Sequence, residues 1–293
     1  PPRSTLSSSS AASDVYKRQI LDLLNKKIIL TYLLINIINK LMSHLILVRH
    51  GQSEWNLQKK FTGWVDVDLT PEGKLEACKA GELIKDLNIE ITHFYSSYQI
   101  RALNTLKLIL NTIRVKNEKI LKAWELNERH YGALTGLNKD EMKKLYGEEK
   151  IHIFRRSWDN PPEALKKTSP YHPLNIDIYK NVPRDKIPDT ESLKNTYERV
   201  IPFYKRNIEP KLDKNIIVSA HGNSIRSLCK YLFDLDNKKI SSLEIPTGNP
   251  LLIEIEEGKI KNASYLDKDL SLIHISEPTR PERIAYAVFC LKK

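Results

Sequence analysis

Cysteine and glycine are scarce in this chain of 293 residues, three and ten in all. Cys290 lies in a terminal stretch unlike the rest, and Cys78 and Cys229 show no metal-ligand spacing, so neither a zinc module nor a disulfide scaffold is encoded. Thiol usage of this kind fits a reducing cytoplasm. The chain has no glycine-rich P-loop, which excludes a nucleotide kinase of that type, and no His-x-x-x-His pair. Long hydrophobic runs are missing too. The candidate from Ile28 to Ile38 is interrupted by Asn36 and is followed by no small-residue cleavage site. It falls short of the roughly 20 residues that cross hydrocarbon, which argues against the competing readings of a membrane anchor or a signal segment. The net charge of +11 overstates the basicity, because ten of the 47 basic and four of the 36 acidic residues lie outside 42–270, leaving +5 within. That is too little, with no basic stripe, for nucleic-acid binding.

The ends differ from the middle in composition. Pro1 to Gln19 is Ser- and Ala-rich without hydrophobic period, Ile20 to Lys40 uses almost only Ile, Leu, Asn, Lys, Tyr and Thr, and Leu272 to Pro281 resembles translated adaptor. The expected organisation is a non-native extension over 1–41, one catalytic domain over 42–270 beginning at Met42, and an adaptor-derived tail over 271–293.

Within 42–270 strands and helices alternate. Ser43 to His50, Ile91 to Tyr95, Lys119 to Trp124 and Asn215 to Ala220 read as strands, the first and last with the unbroken apolar run of a strand buried on both faces. Thr70 as N-cap with Pro71 after it opens a helix to about Leu87, with Leu75, Cys78, Ala80, Leu83, Ile84 and Leu87 on its apolar side. Further helices are expected over Ile100 to Thr112, Leu137 to Tyr146, Leu193 to about Ile208, where Pro202 could divide it, and from Asn223 or Ser224 through Leu232. Leu251 to Ile255 and Gly258 to Ile260 read as a hairpin-like pair. The Pro-rich section from Asn160 to Pro188 is too long for a simple connection and reads as an active-site cover or a loose insertion. The alternation predicts an α/β fold, a three-layer α/β/α sandwich with a mostly parallel central sheet.

Two strands stop at a histidine followed by glycine, His50-Gly51 and His221-Gly222, and the carboxyl edge of such a sheet is where ligands bind. Arg49 shares the first tip. Arg101 sits in the first turn of a helix, where a cation opposes the helix dipole and a bound anion would explain it, a surface arginine being its other reading. Arg155 and Arg156 add two more forks matched to phosphate oxygens. Histidine alone among these can be a nucleophile near neutral pH, so a phosphohistidine mechanism accounts for the set better than passive phosphate binding. Glu128 is the candidate proton-transfer group, an ion pair with Arg129 being its other reading.

Leu47-Val48-Arg49-His50-Gly51, Ser53-Glu54-Trp55-Asn56, Phe61-Thr62-Gly63-Trp64, Glu125 through Gly132, Gly136-Leu137-Asn138-Lys139, Arg155-Arg156-Ser157 and His221-Gly222-Asn223-Ser224 together resemble the histidine phosphatase superfamily, specifically its 2,3-bisphosphoglycerate-dependent phosphoglycerate mutase branch. The resemblance spans Ser43 to Asp267. It implies His50 as the phosphorylated nucleophile, His221 as the second pocket histidine, and Arg49, Arg101, Asn56 and the backbone beside Gly222 around the transferring phosphoryl group. Glu128 becomes the general acid and base, and Thr62, Gly63, Tyr131, Lys139, Arg155, Arg156 and Asn223 hold the substrate's carboxylate and second phosphate. The implied reaction interconverts 3- and 2-phosphoglycerate in glycolysis and gluconeogenesis, primed by 2,3-bisphosphoglycerate and without a metal, in a cytoplasmic homodimer or homotetramer with no nucleic-acid or membrane partner. The alternative within the fold is a phosphatase of small phosphorylated metabolites. Ser96 to Ile100 departs from the branch pattern, and recognisable sequence ends near Leu270 where a closing tail is expected.

Overall fold

In the computed structural model, residues 17–18, 20–27, 42–116 and 119–268 are described, with the backbone alone of 274–276. The expectations for 1–41 and 271–293 therefore lie largely outside the described residues. The chain divides into units Pro1–Ser43 and His44–Lys293. In the first, residues 20–27 are helical and exposed.

From Met42 onward the chain carries the alternation read from the sequence. In chain order come β1 (Met42–Arg49), α1 (Glu54–Leu57), α2 (Pro71–Lys85), β2 (His93–Ser96), α3 (Ile100–Thr112), β3 (Ile120–Lys122), α4 (Lys139–Tyr146), α5 (Glu148–Arg156), α6 (Leu193–Asn207), β4 (Ile216–Ala220), α7 (Gly222–Leu232), α8 (Asn237–Ser242), β5 (Pro250–Glu256), β6 (Lys259–Tyr265) and β7 (His274–Ser276). The sheet order is β3-β2-β4-β1-β5-β6-β7. β3, β2, β4 and β1 run parallel, and β5–β6 and β6–β7 are antiparallel. The β5–β6 turn places Glu257 and Gly258 at φ 51° and 74°, the doubly left-handed geometry that matches strand twist in a two-residue hairpin.

Side chains of β1 alternate between the two faces. Leu45 and Leu47 pack with Val200, Phe203 and Tyr204 of α6 and Ile225 and Leu228 of α7. Ile46 and Val48 pack with Ala80 and Ile84 of α2 and Leu106, Ile109 and Leu110 of α3. This is the three-layer sandwich expected.

Where the strand tip meets α2, two glycines make the approach possible. A Cβ on Gly51 would lie 2.1 Å from the Gly73 carbonyl oxygen, and one on Gly73 would lie 2.0 Å from that of Gln52. Thr70 caps α2 as expected, its Oγ1 accepting the Gly73 N–H at 3.0 Å. The buried face of α2 keeps Ala80 and Ile84 as expected but departs at Leu75, which is 63% exposed, while Ala77 and Gly81 face inward. Thr112 of α3 presses so close to Gly81 that a Cβ there would meet its Cβ at 2.6 Å, and the larger Leu75 is left outside. α1, which lies in a stretch read as a loop, and α5 and α8 are not among the expected elements. Pro202 lies inside α6 without dividing it, the Ser192–Asn195 capping box holding its start. The section from Asn160 to Pro188 is a packed insertion with three short 3-10 turns, and its buried Tyr179 donates to the Trp64 carbonyl at 2.6 Å.

Candidate active site

Parallel pairing brings the two histidine tips together. Arg49 stands opposite Ala220 in the β1–β4 register, and the next residue, His50, donates its backbone N–H to the Ala220 carbonyl at 3.0 Å. The imidazoles of His50 and His221 lie 4.9 Å apart, ring centre to ring centre, and both are buried. His50 Nδ1 is 2.7 Å from the Gly51 carbonyl oxygen. A carbonyl only accepts, so Nδ1 carries the proton and Nε2 keeps the lone pair. Burial, with the cations Arg101 and Arg49 nearby, holds the His50 pKa well below the ordinary 6.5, so the ring is neutral and nucleophilic at physiological pH. His221 is held down in the same way, by burial first, then by Arg101 and His50. Its Nε2 is 2.8 Å from Ser97 Oγ at the tip of β2.

The arginines are arranged as anion ligands with donors to spare. Arg101 is buried, not a surface residue. It gives Nη1 to the Val65 carbonyl at 2.8 Å and Nη2 to that of Gly63 at 3.0 Å, so loop carbonyls share in explaining a cation at this helix start. Asp66 completes that start by accepting the Ile100 N–H at 2.7 Å. Arg49 donates Nη1 to the Ile245 carbonyl at 2.7 Å. The Nε donors of both Arg49 and Arg101 are buried without a hydrogen-bond partner. Buried donors are nearly always paired, so this state fits a site built for an anion. α7 points its N-terminus at the same place, and Gly222 lies over the Arg49 guanidinium, where a Cβ would come within 3.7 Å of its Nε.

Glu128 is held from several sides. Its Oε1 accepts the Arg129 N–H at 2.7 Å, Asn223 Nδ2 at 2.8 Å and the Asn223 N–H at 3.3 Å, and none of these bonds uses Oε2. Asn223 Nδ2 also donates to the Tyr131 hydroxyl at 3.1 Å. Arg129 makes no ion pair with Glu128. Its guanidinium donates to the carbonyls of Phe154 and Arg155 and lies 4.7 Å over the Tyr131 ring, which removes the other reading of Glu128.

These groups line a cavity of about 160 Å³. Of the residues singled out in the sequence, Arg49, His50, Asn56, Thr62, Arg101, Glu128, Tyr131, Lys139, Arg155, Arg156, Gly222 and Asn223 line it. His221 stands behind His50, and the Gly63 carbonyl is engaged by Arg101 and Gln99. Asn56 directs its Oδ1 to the Ser53 N–H and hydroxyl, which leaves its amide N–H donors for a ligand. Lys139 opens α4 with Nζ on the Lys60 carbonyl at 2.6 Å, and burial lowers its pKa. Arg155 and Arg156 end α5.

Sequence reasoning missed Arg226 and Glu244, which complete the lining. It also missed Gln99, which bridges the Gly63 carbonyl and the Glu128 N–H, and Arg199, which is paired with Glu191 and donates to the carbonyls of Glu125, Asn127 and Glu128. No motif marked them, although an arginine one turn into the helix that follows His221-Gly222 was a readable signal for Arg226. Among the described residues no cluster of three or more His, Cys, Asp or Glu gathers as a metal site, and no helix is long and apolar enough to cross a membrane.

The model of the histidine phosphatase superfamily, branch 1, matches residues 45–171 and 165–268. Over 231 residues the chain is 67% identical to the 2,3-bisphosphoglycerate-dependent phosphoglycerate mutase of Pelagibacter ubique, covering 78% of this chain and 97% of the relative. The enzyme of the same name from Maricaulis maris is 48% identical over 230 residues, 77% of this chain and 95% of its own. Among solved structures, Bacillus stearothermophilus YhfR superposes with a TM-score of 0.56 at 20% identity, over 74% of this chain and 94% of that one, a likeness of fold.

Proposed function

Because the chain belongs to the histidine phosphatase superfamily, and within it to the 2,3-bisphosphoglycerate-dependent phosphoglycerate mutases, we propose that the cavity at the β1 and β4 tips performs their phosphoryl transfer with His50 as the group that is phosphorylated. The protein is an isomerase of glycolysis and gluconeogenesis. It interconverts 3-phosphoglycerate and 2-phosphoglycerate through a phosphohistidine enzyme and a 2,3-bisphosphoglycerate intermediate.

The assignment of roles is our reading. The observation that carries it is the pair of unpartnered buried Nε donors on Arg49 and Arg101, residues that line one cavity with His50, whose Nε2 keeps its lone pair. In the phosphorylated enzyme the P–N bond to His50 breaks as the 2-hydroxyl oxygen of 3-phosphoglycerate bonds to phosphorus, and Glu128 takes the hydroxyl proton. In the second half the 3-phosphoryl group bonds to His50 Nε2, its bond to the sugar-acid oxygen breaks, and Glu128 returns the proton to that oxygen. Atoms and protons balance over the cycle. Arg49, Arg101, Asn56, neutral His221 and the N-terminus of α7 at Gly222 stabilise the phosphoryl group in flight. Arg155, Arg156, Lys139, Tyr131, Thr62, Gly63 and Asn223 hold the carboxylate and the phosphate that stays behind, and the number of cations fits a ligand with two phosphates and one carboxylate. The same residues fit 2,3-bisphosphoglycerate as primer, which supplies the first phosphoryl group. We assign no metal to the cycle, take 42–270 as the catalytic unit, and propose a cytoplasmic homodimer or homotetramer.

The test uses the full chain with 3-phosphoglycerate, with and without catalytic 2,3-bisphosphoglycerate and with EDTA, following 2-phosphoglycerate and free phosphate separately. The reading expects primed, EDTA-resistant formation of 2-phosphoglycerate well in excess of phosphate. Dominant release of phosphate would assign the chain to hydrolysis of phosphorylated metabolites instead.

A further inference from the structure

The loop between α8 and β5 touches three of the cavity's arginines through consecutive residues. The Leu243 carbonyl accepts from Arg226 Nε at 2.8 Å, and the Ile245 carbonyl accepts from Arg49 Nη1 at 2.7 Å. Between them Glu244 directs one carboxylate oxygen to Arg156 Nη2 and places the other 3.7 Å from Arg226 Nη2. The Glu244 side chain is 68% exposed, whereas Arg156 and Arg226 are 15% and 7% exposed. A carboxylate thus stands at the mouth of a cavity lined with cations, on the outer side of Arg156. A network leads inward from it. Arg226 Nη1 donates to Asn223 Oδ1 at 3.1 Å, and Asn223 Nδ2 to Glu128 Oε1 at 2.8 Å.

An exposed carboxylate gains little from such a pair and is rehydrated when it leaves. A nearly buried guanidinium stripped of its partner is costly, so it changes partners rather than standing alone. We propose that Glu244 is a displaceable counter-ion that tunes which anions the cavity accepts. In the free protein it neutralises Arg156, and the outer anionic group of a two-ended ligand takes its place. A single anion at the His50 end leaves Glu244 where it is. This rests on the placement of substrate ends given above. Glu244 acts on specificity by competing with the ligand, and does not touch the reacting atoms.

The sign of one substitution separates this from a structural role. In Glu244→Gln the side-chain shape is kept and the competing charge is lost. The dissociation constants of 3-phosphoglycerate and inorganic phosphate are measured by calorimetry on full-length wild type and variant. The expected result is 3-phosphoglycerate binding about two- to fivefold tighter, the factor an exposed ion pair commands, with a smaller gain for phosphate and both gains shrinking at high salt. Unchanged or weaker 3-phosphoglycerate binding would mean that Glu244 only positions Arg156, and an equal gain for both anions would reduce it to a general field effect. Either outcome overturns the proposal. Formation of 2-phosphoglycerate by the wild type is scored independently, so its absence with the affinity difference intact would remove the assigned reaction and leave the counter-ion.

Discussion

Removing the guanidinium of Arg199 tests how the Glu128 segment is held. The side chains of Arg199 and Glu191 are 9% and 4% exposed, joined by Nε to Oε1 at 2.6 Å and Nη2 to Oε2 at 2.9 Å. The same guanidinium donates to the carbonyls of Glu125, Asn127 and Glu128 at 2.6, 3.0 and 3.0 Å, while Glu191 Oε2 accepts the His130 N–H at 2.8 Å. Arg199→Met keeps most of the volume, leaves the buried Glu191 carboxylate without its cation, and takes from three carbonyls the donor they share. Breaking a buried pair from one side costs about 3–5 kcal/mol. At about 2–4 °C per kcal/mol for a domain of this size, thermal unfolding followed by circular dichroism falls by about 6–20 °C. Adding Glu191→Gln removes the stranded charge and restores part of the loss, so the double-mutant cycle gives a coupling of about 1–3 kcal/mol. Turnover falls further than substrate affinity, because the displaced backbone carries Glu128, the proposed proton-transfer group. A single variant within about 1 kcal/mol of wild type, or strictly additive losses, would refute the clamp.

Acid lability follows from the buried histidines. His50, His221 and His130 are all held below 6.5 mainly by burial, His130 at about 4. The unfolded chain binds these protons near 6.5 and the folded chain does not. Stability is therefore complete above pH 6.5 and lost as pH falls towards the folded values, by about 1.4 kcal/mol per unit for each histidine. Denaturant unfolding from pH 7 to 5 checks it, His130→Asn should reduce the slope by about one proton, and a flat profile would contradict it. His50→Asn should abolish acid-labile phosphoenzyme and lower turnover on the order of 10⁴–10⁶-fold, with folding unchanged by circular dichroism. Gly51→Ala drives a methyl into the Gly73 carbonyl and should cost about 1–3 kcal/mol together with loss of phosphoenzyme, read by unfolding and ³²P labelling.

The sheet and its two histidine tips were legible because strands buried on both faces write themselves as apolar runs, and because parallel strands ending together put adjacent tips at one edge. Arg101 was legible as an anomaly of charge at a helix start. The inward face of α2 was legible at Ala80 and Ile84 but not at its first turns, since periodicity ranks Leu75 above Gly81, and only the packing of Thr112 against Gly81 decides which faces in. α5 escaped notice because its apolar residues are few and only Ile151 is buried. Arg199, Gln99 and Glu244 act through contacts distant in sequence, where local pattern holds no trace of the partner.

The loop from Leu243 to Gly248 also fixes where this chain can change length. Besides its contacts to Arg226, Arg156 and Arg49, it donates the Thr247 hydroxyl to Glu76, and Glu76 also accepts the Gln52 N–H at the other side of the strand tip. Its Gly248 N–H returns to the Arg49 carbonyl. One inserted residue would shift every one of these registers at once and retune the charge of the whole cavity, whereas added residues at the exposed turn of Glu257 and Gly258 would meet only water. Insertion libraries and natural length variation should avoid the former and accumulate at the latter.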